Sequence, residues 1–155
     1  MEEHAEEFAI VALPALRIAG HRMRVPYNQC GPGFAKVCRH AGRHCAGKPL
    51  TLYHAPEDAD GIADLETCVP VGPAVCAGEG ISVRELPACR ALTYRHHGPW
   101  DRLGASWAKV MAHLEAQGLV AAPPFREVYV KGPGMFFKGN PEKYVTEIQV
   151  PLQEG

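Results

Sequence analysis

The sequence predicts an α+β domain made of two fused copies of one half, with antiparallel strands and two helices on one side. Three observations support this fold class. A strand-like stretch with a central glutamate occurs twice, an apolar stripe of helical period occurs twice, and a glycine-rich connector lies between the copies. Internal repeats decide how the rest of a chain is interpreted, so each element is taken from the repeat.

The last strand of each copy is the clearest repeated element. YVTEIQVPL at 144–152 matches DLETCVPV at 64–71, and an offset of 81 places Glu66 on Glu147. The alternation of apolar and polar residues predicts a strand in both copies. Because strands disfavour Glu, each glutamate marks either a solvated face or a site.

The helices and the earlier strands repeat with offsets of 73 and 76. FAIVALPALRIAG at 8–20 aligns with ISVRELPACRALT at 81–93, and LTLY at 50–53 aligns with REVY at 126–129. Apolar residues at helical spacing predict helices over 31–44 and 101–117. The second stripe comprises Leu103, Trp107, Val110, Met111 and Leu114, and the first comprises Cys30, Phe34, Val37, Cys38 and Ala41. Each half is thus predicted as strand, helix, strand, strand, with Phe34 and Trp107 buried.

The connector GPAVCAGEG at 72–80 separates half-repeats of about 8–71 and 81–152. Each half is too small for more than a marginal core, so we expect residues 1–155 to form a single domain.

Composition excludes several classes of function. A net charge of −1 offers no general attraction to nucleic acid or to an anionic membrane. No apolar run reaches the ~18 residues of a spanning helix, and the acidic start MEEHAEEF is unlike a signal peptide. We therefore expect a cytoplasmic protein that contacts neither nucleic acid nor membrane directly.

The six cysteines are interpreted mainly through the repeat. Cys30 aligns with Leu103 and Cys38 with Met111, which predicts reduced cysteines buried in the core. CRHAGRHC at 38–45 offers an alternative, because His40 and His44 could bind a metal beside its two cysteines. No second His or Cys cluster of zinc-like spacing completes such a site, so we expect neither metal nor cofactor.

Strand parity predicts where a ligand would bind. Ile148 and Val150 should face the helices and Glu147 the opposite side, and the same parity turns Leu50 and Leu52 toward the helices. The predicted cleft therefore lies on the sheet face away from the helices, although a solvated polar face is the alternative. Its predicted lining is Glu147, Tyr129, Glu66 and Tyr53, with Trp100 or Phe136 near the mouth; the run Met135–Phe137 could be a lid or an edge plug.

FREVYVKGP at 125–133 and NPEKYVTEIQVPL at 140–152 resemble the C-terminal half of the GyrI-like small-molecule-binding family, the effector-binding domain of AraC-type and multidrug-sensing bacterial activators. GPWDRLGASWAKVMAHLEAQGL at 98–119 resembles that family's second helix, and the resemblance covers about residues 8–152. It implies a duplicated fold whose cleft binds amphipathic, often cationic or aromatic, molecules. It also implies that the glutamate matching Glu147 attracts the cation at the bottom of the pocket.

The family leaves alternatives open. Some stand-alone members resemble hydrolases that open strained cyclopropanes, which would make Glu147 or Glu66 a base and Tyr129 a proton donor. Modulation of gyrase and haem binding are further alternatives, and so is assembly as a homodimer. With no helix-turn-helix expected beside the domain, any action on DNA would pass through a separate protein. Ligand binding or sequestration is the favoured interpretation, and whether the protein is also an enzyme stays open.

Overall fold

The computed structural model describes residues 8–133 and 139–154. Each half contributes two strands, a helix and two more strands. The first half comprises β1 (Ala9–Leu13), β2 (Leu16–Val25), α1 (Gly31–Ala41), β3 (Leu50–Ala55) and β4 (Ala63–Pro70). The second comprises β5 (Ser82–Leu86), β6 (Cys89–His97), α2 (Leu103–Ala116), β7 (Phe125–Lys131) and β8 (Val145–Pro151). The predicted α+β duplication is confirmed, and both helices lie within the predicted spans.

The first predicted strand of each half is in fact two strands. The break falls at Pro14 in the first half and at Pro87 in the second. Proline has no N–H to donate to a ladder, so the strand ends there and its continuation pairs elsewhere. Helix α1 stops at Ala41, earlier than predicted, because Gly42 takes a positive φ of 54° and a short 3-10 turn follows.

The described strands form a single antiparallel sheet in the order β1-β6-β8-β7-β3-β4-β2-β5. The order reads the same from either end when the halves are exchanged, which is the signature of a pseudo-two-fold axis between β3 and β7. The first strand of each half pairs with the second strand of the other half, β1 with β6 and β5 with β2. The halves are thereby interlocked.

Both helices pack on the same face of the sheet, over its outer strands. Helix α1 covers β2 and β4, where Val37 and Ala41 pack on Ala19 and Val69. Helix α2 covers β6 and β8 in a cluster formed by Leu92, Leu103, Val110, Leu114, Ile148, Val150 and Leu152. The central strands β3 and β7 are left uncovered between the helices.

The other face of the sheet also buries apolar side chains. Leu50 and Leu52 lie there with Ile18, Cys68 and Val128. The prediction that these two leucines point toward the helices is therefore wrong. Because the sheet curls and its central strands carry buried residues on both faces, an apolar side chain does not reveal which face it is on.

In the described parts of the chain, no helix has the length and the apolar character needed to cross a membrane.

Candidate functional site

A cleft of about 1510 Å³ lies between the two helices, with β3 and β7 as its floor. Phe34 of α1 and Trp107 of α2 form parts of its walls. The cleft is on the helix side of the sheet, which corrects the prediction that it lies on the opposite side. The reason is the spacing of the helices: each covers one outer pair of strands, and the gap between them exposes the centre of the sheet.

Glu127 lies on the floor of this cleft, and its residue is 5% exposed. One carboxylate oxygen accepts hydrogen bonds from the hydroxyls of Tyr53 at 2.8 Å and Tyr129 at 3.0 Å. The other accepts one from the indole Nε1 of Trp107 at 2.5 Å. Three neutral donors, one from each of β3, β7 and α2, thus hold the carboxylate in place.

Burial raises the pKa of Glu127 above its ordinary value, and the hydrogen bonds from Trp107, Tyr53 and Tyr129 offset part of that shift. Burial also raises the pKa of Tyr53 and of Tyr129 well above the ordinary value, and the charge of Glu127 adds to both shifts. Both tyrosines therefore stay protonated and donate. The hydroxyl of Thr51, 2.7 Å from that of Tyr129, completes the chain by donating to it.

Among the described residues, no lysine, arginine or histidine forms an ion pair with Glu127. An isolated buried charge is costly unless something compensates it. The site therefore combines a buried carboxyl group with neutral hydrogen-bond donors, and within the described ranges this group has no ion-pair partner.

Aromatic rings surround the carboxylate. The ring of Tyr53 meets that of Trp107 edge-on at 6.1 Å, and Phe34 meets Tyr129 in the same way at 5.7 Å. Trp100, 42% exposed, lies 5.3 Å from the ring of Tyr129 at the mouth of the cleft. Tyr27, Phe125 and Tyr144 complete the aromatic lining.

The sequence-predicted lining residues divide into two groups. Tyr53, Tyr129 and Trp100 do line the cleft. Glu147 and Glu66 lie on the opposite face of the sheet, so the prediction that they line the cleft with the tyrosines is wrong. Phe136, with the rest of the Met135–Phe137 run, lies outside the described residues.

Register explains this separation. Glu147 pairs with Val128, whereas its neighbour Ile148 pairs with Glu127, and paired residues share a face. The parity that sends Glu147 away from the helices is as predicted. The prediction is wrong for β3 and β7, whose tyrosines Tyr53 and Tyr129 point toward the helices instead of away from them.

The two displaced glutamates have arginine partners of their own. Glu66, 2% exposed, receives a two-pronged contact from Arg84 at 2.6 and 2.7 Å and a hydrogen bond from His54 at 2.9 Å. Burial opposes ionisation of Glu66, but the hydrogen bonds from Arg84 and His54 outweigh it and lower the pKa. Glu147, 21% exposed, lies 3.3 Å from Arg95 and accepts from Gln149 at 2.6 Å.

The helix cysteines also differ from prediction. Cys38 is exposed and Cys30 half-buried, and both line the cleft instead of the core. The aligned residues Leu103 and Met111 predicted burial, but α1 borders an open cleft, and its apolar stripe is therefore only partly covered. All six cysteines are free. No group of three potential metal ligands comes together in the described ranges, and the imidazole of His40 hydrogen-bonds the Cys76 carbonyl at 2.7 Å.

Sequence reasoning missed Glu127 and Trp107 as site residues. Helical spacing predicts burial of Trp107 and of Phe34, but both are half-buried and line the cleft, so that prediction is wrong. The signal for Glu127 was present in the repeat, where REVY places a glutamate opposite Thr51 of LTLY. Glu127 is charged where the first copy has the neutral Thr51, whereas the position of Glu147 has a glutamate in both copies. In this chain the position that differs between the copies is the one that lines the cleft.

The duplicated ββαββ fold, its single curled sheet and the aromatic cleft between its helices place this chain in the class of small-molecule-binding domains. The chain belongs to the GyrI-like small molecule binding domain family, which it matches over residues 6–153. No curated protein sequence matches it.

Solved structures show the same architecture. The C-terminal domain of EcmrR is 25% identical with a TM-score of 0.81, and the match covers 97% of this chain and 99% of that domain. The match to EcmrR in its DNA complex covers 58% of that longer chain. SAV2435 bound to tetraphenylphosphonium is 19% identical, with a TM-score of 0.64 and coverage of 95% and 94%. A hydrolase from Listeria innocua is 13% identical, with a TM-score of 0.64 and coverage of 96% and 92%.

Proposed function

We propose that this protein binds bulky lipophilic organic cations in the cleft between its helices, with Glu127 as the counter-ion. The observation that carries the proposal is a buried carboxylate that is held by Tyr53, Tyr129 and Trp107 and forms no ion pair with a side chain in the described ranges. A ligand cation would supply the missing charge. Its attraction to the carboxylate in the low-dielectric cleft would offset the electrostatic cost of burying Glu127.

The shape of the cleft supports a large ligand. Its volume of about 1510 Å³ exceeds the ~300–1,000 Å³ of most small-molecule sites. Aromatic faces attract delocalised cations by about 0.5–2 kcal/mol each, without demanding one orientation. SAV2435, which shares this fold, is bound to tetraphenylphosphonium, a cation of this kind.

The test is titration calorimetry with tetraphenylphosphonium on the wild type and on Glu127→Gln. The variant keeps the size of the side chain and removes the charge, so affinity should fall by about 2–3 kcal/mol. Neutral triphenylphosphine oxide should lose much less. Glu147→Gln is the matched control, because it removes a partly exposed glutamate from the other face and should leave the affinity unchanged. Equal affinities for all three proteins would reject the proposal.

Binding should also depend on pH in a defined direction. Cation binding requires ionised Glu127, so affinity should weaken as pH falls through its raised pKa, which lies above the ordinary 4.5. The loss should approach about tenfold per pH unit below that pKa. Because the folded state retains this proton more strongly than the unfolded state, the contribution of Glu127 to the stability of the free protein should fall as pH rises from the ordinary 4.5 through the raised pKa. Glu127→Gln should abolish the pH dependence of cation binding and remove the contribution of Glu127 to the pH dependence of stability.

A hydrolytic role is the second candidate function, and it now rests on Glu127 instead of Glu147. A carboxyl of raised pKa beside the protonated hydroxyl of Tyr129 is the pair that general acid–base chemistry requires. However, Glu127 already accepts three hydrogen bonds, and a carboxylate has about four lone-pair sites, so little capacity remains to activate water. Turnover of a neutral cyclopropane-bearing substrate that disappears in Glu127→Gln would support this role over binding alone.

A further inference from the structure

A second, smaller cavity of about 280 Å³ lies on the sheet face away from the helices, and Arg126 lines it. Arg126 precedes Glu127 on β7 and therefore points to the opposite face. It stands opposite Leu52 on β3 and Gln149 on β8, so the cavity lies at the centre of the sheet.

Arg126 is buried, yet within the described ranges it has no carboxylate partner to balance its charge. The residue is 5% exposed, and its Nε has no hydrogen-bond partner. One terminal nitrogen makes a long contact of 3.8 Å to the Cys89 sulfur. Within the described ranges no carboxylate forms an ion pair with it. Burial lowers the pKa of its guanidinium, yet arginine stays charged in proteins.

The rest of the cavity is largely apolar. Leu13, Pro14, Leu16, Leu50, Pro70 and Val128 provide most of its wall. The amide of Gln149 and the exposed side chain of Lys48 are further polar groups at the cavity. Replacing a buried charge by an apolar residue is often neutral or stabilising, so packing alone does not account for an arginine here. The repeat supports this, because the first half has Leu50 at the position of Arg126.

We propose that this cavity is a second ligand site, which binds a small aliphatic monocarboxylate with its carboxylate on Arg126 and its chain against the leucines. The planar guanidinium presents paired N–H donors that match a carboxylate. Arg126 is the one buried cation among the described lining residues and balances a monoanion, whereas the second charge of a phosphate would meet only apolar walls or the solvent-exposed Lys48. The volume, below that of most ligand sites, restricts the ligand to a few carbon atoms.

The test titrates the wild type with 2-methylpropanoate, observed by ligand NMR and by the rise in melting temperature. Binding should be saturable, and inorganic phosphate and the neutral amide 2-methylpropanamide should bind much more weakly. Arg126→Met should weaken binding by at least about 30-fold, equivalent to ~2 kcal/mol, because it removes one partner of a buried charge pair. Arg22→Met, which removes an exposed arginine that pairs with Asp64 and does not line the cavity, should bind as the wild type does.

Tetraphenylphosphonium binding by Arg126→Met would show that the variant is folded with an intact cleft. Should that variant not fold, Leu16→Phe, which fills the cavity and keeps the charge, should abolish carboxylate binding instead. The proposal is wrong if the wild type shows no saturable binding, since the cavity then holds a hydrated guanidinium only. It is also wrong if phosphate binds more tightly than the carboxylate, or if Arg126→Met and Leu16→Phe both bind normally.

Discussion

Consecutive residues of β7 carry opposite charges to opposite faces of the sheet. Glu127 reaches the cleft between the helices, and Arg126 reaches the small cavity behind it. The equivalent residues of β3 are Thr51 and Leu50, which are neutral. Duplication supplied the symmetric frame, and departures from symmetry at these two positions supplied the charges on which both proposed sites depend.

Three glutamates of the sheet differ in what compensates them. Glu127 has neutral donors, Glu66 has Arg84 and His54, and Glu147 has a longer contact to the exposed Arg95. The first is therefore suited to a ligand cation, and the second is a structural ion pair. Gly20 is part of that pair's environment, because a Cβ there would stand 2.0 Å from a Glu66 carboxylate oxygen.

At the residue scale we predict that Glu66→Gln destabilises the protein by about 2–3 kcal/mol at pH 7. Removing one member of a buried pair costs ~3–5 kcal/mol, and the partial exposure of Arg84 reduces this. Since the folded-state pKa of Glu66 is lowered, its contribution is present above the ordinary 4.5 and lost as pH falls below it. Urea unfolding at pH 7 and pH 4 should show the difference shrinking.

Glu147→Gln is the comparison for this experiment, and it should change stability by no more than about 1 kcal/mol because its contact is partly exposed. A Glu66→Gln variant as stable as the wild type at pH 7 would show that the pair with Arg84 contributes nothing.

At the scale of elements, close packing of α1 on the sheet sets one wall of the cleft. Gly33 faces β4, and a Cβ built there would stand 2.5 Å from the Thr67 hydroxyl oxygen and 2.6 Å from the Met23 sulfur. The helix approaches so closely because that position has no side chain. Phe34, the next residue, is thereby held against Tyr129 in the cleft.

We predict that Gly33→Ala destabilises the protein by about 1–3 kcal/mol, because the added methyl group forces α1 away from β4. Gly104→Ala, at the start of α2 with nothing within 4 Å of its Cβ position, should be neutral or stabilising by up to ~1 kcal/mol. Both variants gain helix propensity, so their difference in chemical denaturation reports the contact. Similar stabilities for the two would mean that α1 does not depend on this approach.

The helices and the last two strands of each half followed from the repeat, whereas the strand breaks at Pro14 and Pro87 and the side of the sheet that each residue faces did not. Helical spacing placed α1 and α2, and the offset of 81 placed β4 and β8. The facing of β3 and β7 depends on how the chain leaves each helix, which local pattern does not encode. Alternation predicts that Leu50 faces the helices and that Tyr53 faces away from them. The structure has the reverse, because the central strands carry buried side chains on both faces of the sheet. The strand register of the structure was therefore needed to show on which side of the sheet the cleft lies and that Glu127 lines it.

At the scale of the whole molecule, strand exchange interlocks the two halves. Strand β1 leaves its own half to pair with β6, and β5 crosses in the other direction to pair with β2. The central pairing of β3 with β7 joins the halves again beneath the cleft. Neither half can keep its complete sheet without the other, and the cleft exists only when both are folded.

We therefore predict a single unfolding transition in urea, followed by one probe in each half. Cys68 in β4 is fully buried, so pulsed alkylation quantified by peptide mass spectrometry reports the first half. The fluorescence of the half-buried Trp107, which contacts Glu127 and Phe125, reports the second half. The two midpoints should coincide, as two-state unfolding requires. Alkylation of Cys68 at a urea concentration where the tryptophan signal is still native would show that the first half opens alone, and the interlock would then contribute little to the stability of the cleft.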